Sequence, residues 1–206
     1  MAFEHPNFRD NGHGNVIEIH PSAHIDVSVQ IRIDGDGHIL RIGEKAVLRS
    51  MNILFSGEGN MAEVGAGCNL RGAFHLRQVG SLLSVGSSTT FVGAHLFAME
   101  GKSIVIGDDC MFSAGIFVRT SDEHAIYDVS TDARLNMPQN VVLGRHVWIG
   151  EGVTIAKGAN IADGCVVGAR SYVSKTLARS NAIYAGSPAK LVREGIRWDR
   201  KLPRVV

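Results

Sequence analysis

The chain has 206 residues, of which 45% are hydrophobic and 20% are charged, and its formal net charge is +1 at pH 7. This length fits one domain, and the composition is typical of a globular protein in water. A net charge this close to zero argues against broad electrostatic attraction to nucleic acid or to an anionic membrane.

Cysteine usage and the chain start point to the cytoplasm. The three cysteines, Cys68, Cys110 and Cys165, are widely spaced and form no CxxC pair. They therefore predict neither a disulfide framework nor a zinc site. The first ten residues do not resemble a signal peptide, and no stretch approaches the ~18 apolar residues of a transmembrane helix. We expect a cytoplasmic protein without an integral membrane segment.

In chain order, residues 1–15 are predicted to form an N-terminal arm, and a repeat follows. Ile19, Ile25 and Ile31 lie six residues apart and resemble a first coil. Four dipeptides then recur at intervals of about one coil plus a few residues: Ile42-Gly43, Val64-Gly65, Val85-Gly86 and Ile106-Gly107. A period this long indicates a stack of similar units rather than an ordinary globular core.

The repeat is strictest from Leu143 onward, where the chain reads LGRHVW, IGEGVT, IAKGAN, IADGCV, VGARSY and VSKTLA. An aliphatic residue opens every hexad, and the fifth position is usually small. This period fits neither an amphipathic helix nor a half-buried strand. It fits a coil with three flat faces around a triangular prism, stabilised by the coils above and below. The cysteines take small positions and are predicted to be packing residues.

We therefore predict an all-β fold, a parallel β-helix of about seven coils over residues 16–178. The step from Val118 to Leu143 is 25 residues, so a long loop, about 119–142, protrudes there. Long loops on rigid scaffolds are disproportionately functional. This loop carries His124, which is either a solvated surface residue or a functional one. Residues 179–206 are assigned to a C-terminal tail, with Pro188 opening a short helix through 189–198.

The other histidines give weaker signals. His75 and His95 lie on adjacent coils, as in a zinc site, but their positions within the hexads predict that one points outward and one inward. No third histidine completes a set, so no metal is expected. His20, His24, His38 and His146 are predicted at corners or on the surface. Leu143 and Val147 fill inward positions, so Trp148 should point outward, either as a packing residue or in a site.

The segments HVWIGEGVTIAKGANI, VVGARSYVSK and AGSPAKLVR, together with the His124 loop, resemble hexapeptide-repeat acetyltransferases. The stretches VRTSDEHAIYD and Arg134-Leu135-Asn136 are most similar to bacterial capsular polysaccharide O-acetyltransferases of polysialic acid. The resemblance covers about residues 16–200. It implies a left-handed β-helix, although parallel crossovers are normally right-handed. It also implies a homotrimer whose sites lie between subunits, with cover for outward Phe97, Met99, Met111 and Phe117.

The resemblance implies transfer of acetyl from acetyl-CoA to a carbohydrate hydroxyl, with His124 as general base. The residue that orients His124 is left open among Asp122, Glu123, Asp128 and a backbone carbonyl. Trp148 would line the site beside the donor or acceptor. Matched residue by residue, the resemblance implies that CoA is bound by Ala169, Ser174, Lys175, Lys190 and Arg193. N-acetylation of an amino sugar or another small acceptor, and a non-catalytic scaffold, are the alternative functions.

Overall fold

The computed structural model describes residues 4–202, which contain 23 β-strands and no helix. In chain order the strands are β1 Phe8–Asp10, β2 Val16–Ile19, β3 His24–Ile25, β4 Gln30–Asp36, β5 Ile39–Ile42, β6 Val47–Glu58, β7 Met61–Val64, β8 Asn69–Leu76, β9 Leu82–Val85, β10 Thr90–Phe91, β11 Ala94–Ala98, β12 Ser103–Ile106, β13 Met111–Phe112, β14 Ile116–Arg119, β15 Val141–Leu143, β16 Trp148–Ile149, β17 Thr154–Ile155, β18 Asn160–Ile161, β19 Val166–Val167, β20 Tyr172–Val173, β21 Thr176–Leu177, β22 Ile183–Ala185 and β23 Lys190–Arg193.

The strands form a parallel β-helix with three faces. The first face is an eight-stranded sheet in the order β2-β5-β7-β9-β12-β15-β18-β21, one strand per coil. The second face runs from β3 to β22, and the third runs from β1 to β20. These two faces form one sheet because β6 and β8 continue across the corner between them. The prediction of a stacked β-helix is confirmed, and the number of coils is eight rather than about seven.

The core is the column of aliphatic side chains predicted from the hexads, and close backbone contacts explain the recurring glycines. A Cβ on Gly86 would lie 2.5 Å from the backbone nitrogen of Asp108, and one on Gly107 would lie 2.6 Å from the carbonyl oxygen of Gly144. Real Cβ atoms do not approach backbone so closely. The aliphatic-glycine pairs therefore mark the corner between the first and second faces, where successive coils touch.

The cysteines are packing residues, as predicted. All three are buried in the prism. Cys110 Sγ donates to the carbonyl of Gly144 at 3.2 Å. Burial raises the pKa of Cys110 to about 12 and that of Cys68 to about 11, so both thiols stay protonated at neutral pH.

A ladder of buried polar side chains lines the corner between the third and first faces. Asn15 Oδ1 accepts the backbone N–H of His38, His38 Nδ1 accepts that of Asn60, and Asn60 Oδ1 accepts that of Ser81. The prediction that His38 is a corner or surface residue is right about the corner and wrong about exposure, because the side chain is fully buried. Each rung satisfies a backbone donor that the corner would otherwise leave unpaired.

The predicted C-terminal helix is wrong. Residues 190–193 form β23, which pairs antiparallel with β22. Gly195, inside the predicted helix, has φ +69°, a conformation incompatible with a right-handed helix. Pairing of β23 supplies hydrogen-bond partners to the open edge of the second face, the task expected of the helix.

At both ends, strands outside residues 16–178 also pair with the prism. The second face continues past residue 178 through β22. The described part of the N-terminal arm includes β1, which pairs in parallel with β4 on the third face. The two β-sheets therefore extend over nearly the whole described chain. Among residues 4–202, no helix is long and apolar enough to cross a membrane.

Candidate active site

The long loop leaves the prism between β14 and β15, at the corner between the third and first faces, and ion pairs hold its base there. Arg134 donates to both carboxylate oxygens of Glu100, at 2.5 and 3.0 Å, and Ser121 donates to the same carboxylate. Lys157 Nζ, from the following coil, lies 2.5 Å from Asp122 Oδ2. Hydrogen bonds from Arg134 and Ser121 lower the pKa of Glu100 to about 2, so this anchor is charged at neutral pH.

The backbone around His124 is fixed by one asparagine. Asn136 Nδ2 donates to the carbonyl of His124 at 2.8 Å and to Asp122 Oδ2 at 2.9 Å. Its Oδ1 accepts the N–H of Ile126 at 2.7 Å. Glu123, next to His124, has φ +66°, which non-glycine residues adopt rarely and mostly where surrounding contacts enforce it.

The three acidic candidates for orienting His124 are all engaged elsewhere. Asp122 pairs with Lys157 and Asn136, and Glu123 lies 3.6 Å from Arg77. Asp128 accepts hydrogen bonds from Ser130 and Thr131 within its own turn. The side chain of His124 is exposed, and its ring has no hydrogen-bond partner among residues 4–202. The imidazole is therefore available to a ligand, on a backbone held in place.

Trp148 lies on β16, between Met111 and Val166 of the neighbouring strands of the second face. The outward orientation is confirmed, since Val147 and Ile149 on either side are buried. Its Nε1 is buried and has no hydrogen-bond partner in the described part of the chain. The second face is opposite the corner from which the loop leaves, so one chain does not bring Trp148 and His124 together.

The predicted CoA-binding residues lie towards the C-terminal end of the prism, in three places. Ser174 and Lys175 are exposed between β20 and β21, on the corner that carries the loop. Ala169 is exposed on the corner between the second and third faces. Lys190 and Arg193 lie on β23, paired opposite Ala185 and Ile183.

Two other expectations for outward-facing residues are wrong. His75 and His95 both point outward from the third face, where they stack on Phe97 and Phe117 with ring centroids 4.7 and 5.1 Å apart. Side chains alternate in both extended strands, so the buried residues on either side of each histidine point inward and the histidine itself points outward. Met99 is only 1% exposed at the corner between the third and first faces, where Thr120 Oγ1 accepts its backbone N–H. Residues 4–202 contain no group of three or more His, Cys, Asp or Glu side chains placed to hold a metal ion.

Comparison with known proteins agrees with this architecture. Residues 140–175 match the family model for the bacterial transferase hexapeptide (six repeats). Over 202 residues, the chain is 31% identical to a polysialic acid O-acetyltransferase of Neisseria meningitidis. This alignment covers 95% of this chain and 90% of the relative. The chain belongs to the polysialic acid O-acetyltransferase family.

Two solved structures of this family share the fold. The polysialic acid O-acetyltransferase OatWY superposes with a TM-score of 0.89 at 30% identity, covering 96% of this chain and 93% of its own. The polySia specific acetyltransferase NeuO superposes with a TM-score of 0.84 at 28% identity, covering 93% and 88%. The prediction of a left-handed β-helix is confirmed.

Residues around the site that the family motifs did not single out are Glu100, Asn136 as a hydrogen-bonding residue, and Trp198. Glu100 lies in a stretch that reads only as extra corner residues. Trp198 lies 6.0 Å from Trp148 between ring centroids, although 50 positions of sequence separate them. One signal was available, since these are the two tryptophans of a chain with only 6% aromatic residues.

Proposed function

We propose that this member of the polysialic acid O-acetyltransferase family transfers acetyl from acetyl-CoA to a hydroxyl of a bacterial capsular or surface polysaccharide. Likeness over nearly the full length to an enzyme named for this reaction supports the reaction class. The observation that carries the proposal is the His124 imidazole. It is exposed, has no hydrogen-bond partner in the described part of the chain, and lies on a loop fixed by Asn136, Glu100 and Lys157.

In the proposed mechanism, neutral His124 accepts the proton of the acceptor hydroxyl as its oxygen attacks the thioester carbonyl. The tetrahedral intermediate then collapses, the C–S bond breaks, and the CoA thiolate leaves with the proton returned by the imidazolium. General-base catalysis of this kind contributes about 100- to 10,000-fold. Trp148, which projects outward from the second face, would line the site beside the donor or the acceptor.

We place the complete site between subunits of a homotrimer, because His124 and Trp148 lie on opposite sides of one prism. Ser174 and Lys175, on the same corner as the loop, are suited to the pantetheine arm and phosphates of CoA. Lys190 and Arg193 are exposed cations at the end of the prism and suit the phosphates as well. The donor implies a cytoplasmic location.

The test is an assay of the purified protein with acetyl-CoA and a panel of capsular polysaccharides that includes polysialic acid. We expect thiol release that depends on the polysaccharide, and a product ester that mild alkali removes. An alkali-stable amide formed on an amino sugar would favour the N-acetylation alternative. No thiol release with any acceptor would overturn the enzymatic proposal.

His124→Ala addresses the mechanism in the same assay. Because the loop lies outside the prism, the variant should keep the circular dichroism and melting temperature of the wild type. Its kcat should fall by about 100-fold or more. The matched control is His20→Ala, an exposed histidine at the far end of the prism, which should transfer acetyl at the wild-type rate. Near-normal transfer by His124→Ala would exclude the general-base role.

A further inference from the structure

The last described residues, 197–202, turn back along the prism and are called here the C-terminal strap. Trp198 is only 8% exposed, and its indole stacks on the imidazole of His146, with ring centroids 3.9 Å apart and planes inclined by 11°. The two residues also exchange polar contacts. Trp198 Nε1 donates to the carbonyl of His146 at 3.0 Å, and His146 Nε2 lies 3.2 Å from the carbonyl of Trp198.

A second anchor fixes the strap two residues further on. Arg200 Nε donates to Asp109 Oδ1 at 2.8 Å, while Asp109 Oδ2 lies 2.6 Å from His146 Nδ1. Arg200 also donates to Thr90 Oγ1 at 2.8 Å and to the carbonyl of Cys110 at 2.8 Å. One carboxylate thus joins the strap to the corner that carries His146. A segment held by charged hydrogen bonds and a stacked ring is a specific contact with the prism.

The strap also contacts Trp148, through Trp198. The indoles of Trp198 and Trp148 lie 6.0 Å apart with planes inclined by 49°, within the range of favourable tilted aromatic pairs. Trp148 projects outward from a sheet face, so its own coil does not enclose it. Its Nε1 is nevertheless out of contact with solvent and has no partner among residues 4–202. Such an arrangement persists only where neighbouring groups hold the ring in place.

We propose that Trp198 is a positioning residue for Trp148, and that the strap, anchored through His146, Asp109 and Arg200, holds the Trp148 indole in the orientation that acetyl transfer needs. This inference rests on the proposed function only for its catalytic consequence. Trp198 acts through Trp148 and does not itself contact the reacting atoms. Its loss leaves one side of the Trp148 ring uncovered and opens other side-chain conformations to it.

The two tryptophans make a direct test possible, because the chain has no others. Trp198→Phe and Trp198→Ala each leave Trp148 as the single tryptophan. Phenylalanine keeps a ring against His146 and Trp148, whereas alanine does not. In Trp198→Ala we expect redder emission from Trp148 and a quenching constant with acrylamide at least about threefold higher than in Trp198→Phe.

The kinetic expectation separates positioning from a general loss of structure. Trp198→Ala should lower kcat by about tenfold or more, with Trp198→Phe restoring most of it and KM for acetyl-CoA changing little. Leu202→Ala, in the same strap but 93% exposed, is the matched control and should behave as the wild type. Circular dichroism checks that each variant is folded.

Equal quenching of Trp148 in the alanine and phenylalanine variants would overturn the inference. If Trp198→Ala does not fold, Arg200→Ala in the Trp198→Phe background replaces it, since that change loosens the anchor and keeps the ring. Unchanged quenching in that double variant would overturn the inference equally. A wild-type protein that transfers no acetyl would refute the proposed function, while the fluorescence comparison would still decide whether the strap holds Trp148.

Discussion

His38 shows how one buried imidazole links the stability of the coils to pH. Burial lowers its pKa below the ordinary value of 6.5. Below about pH 6.5, His38 of the unfolded chain binds a proton, whereas His38 of the folded chain stays neutral until the pH is lower. The free energy of unfolding is therefore fully retained above about pH 6.5 and falls as the pH drops towards the lowered pKa. His75, whose pKa burial also lowers, adds to the same trend.

His38→Asn should reduce this pH dependence. Asn15 and Asn60 occupy the same corner position in the adjacent coils, and each accepts the next backbone N–H through Oδ1. Asparagine at position 38 can therefore keep the N–H of Asn60 paired without a titrating ring. Between about pH 7 and pH 5, the melting temperature of the variant should fall less steeply than that of the wild type, leaving the share due to His75. Parallel curves from thermal unfolding would contradict the assignment.

At the scale of single residues, the sequence predicts burial for some positions of the repeat and not for others. The six-residue period identifies which positions face inward, so the core and Trp148 could be placed. It says nothing about corner residues, whose burial depends on the shape of each turn. His38 and Met99 are both at corners, and both are more buried than expected.

At the scale of the element, the loop carries its own scaffold around His124. Backbone hydrogen bonds pair Ile126 with Leu135 and Asp128 with Ala133, which makes a short hairpin within the loop. Asn136 then ties this hairpin to the backbone of His124. In the proposed mechanism, a loop without these hydrogen bonds would lose conformational entropy, at a cost in free energy, each time the reacting geometry formed. The arrangement provides that order before substrate binds.

Asn136→Ala tests the scaffold, because it removes the donors to His124 and Asp122 and the acceptor for Ile126. A shift of about 1 Å in the position of the His124 imidazole can lower the rate about 100-fold. We therefore expect kcat to fall roughly 10- to 100-fold, with little change in KM for acetyl-CoA. The melting temperature should change little, since the loop lies outside the prism. Asn160→Ala, on an exposed part of β18, is the control. An unchanged kcat for Asn136→Ala would show that the loop positions His124 by other contacts.

Elements with a local period were predicted well, and those fixed by distant contacts were not. The coils are visible in sequence because each aliphatic residue answers the same packing requirement. The C-terminal strand and strap have no period, and the partners of the strap lie in coils far back in the chain. Arg200, for example, pairs with Asp109. A helix starting at Pro188 was the reasonable local expectation, yet pairing with the open edge of β22 decided the outcome.

At the scale of the whole molecule, the two halves of the proposed site lie on opposite sides of a single prism. The loop that carries His124 is held by Glu100 and Lys157 at one corner, and Trp148 faces outward from the face across from it. If both serve one reaction centre, the loop of one subunit must meet the second face of another. A closed ring of three chains supplies that contact three times.

Mixed oligomers test this arrangement. His124→Ala and Trp148→Ala should each be nearly inactive alone, and each should elute with the mass of three 22.1 kDa chains. Coexpressed with two different tags and purified through both, they should regain activity, because every mixed trimer contains one interface with an intact histidine and an intact tryptophan. Random 1:1 assembly gives about a quarter of the wild-type sites before tag selection. Mixing His124→Ala with Asn136→Ala is the control, since both changes affect the same loop and no interface becomes intact. Activity of the first mixture no greater than the sum of its parts would place the complete site within one chain.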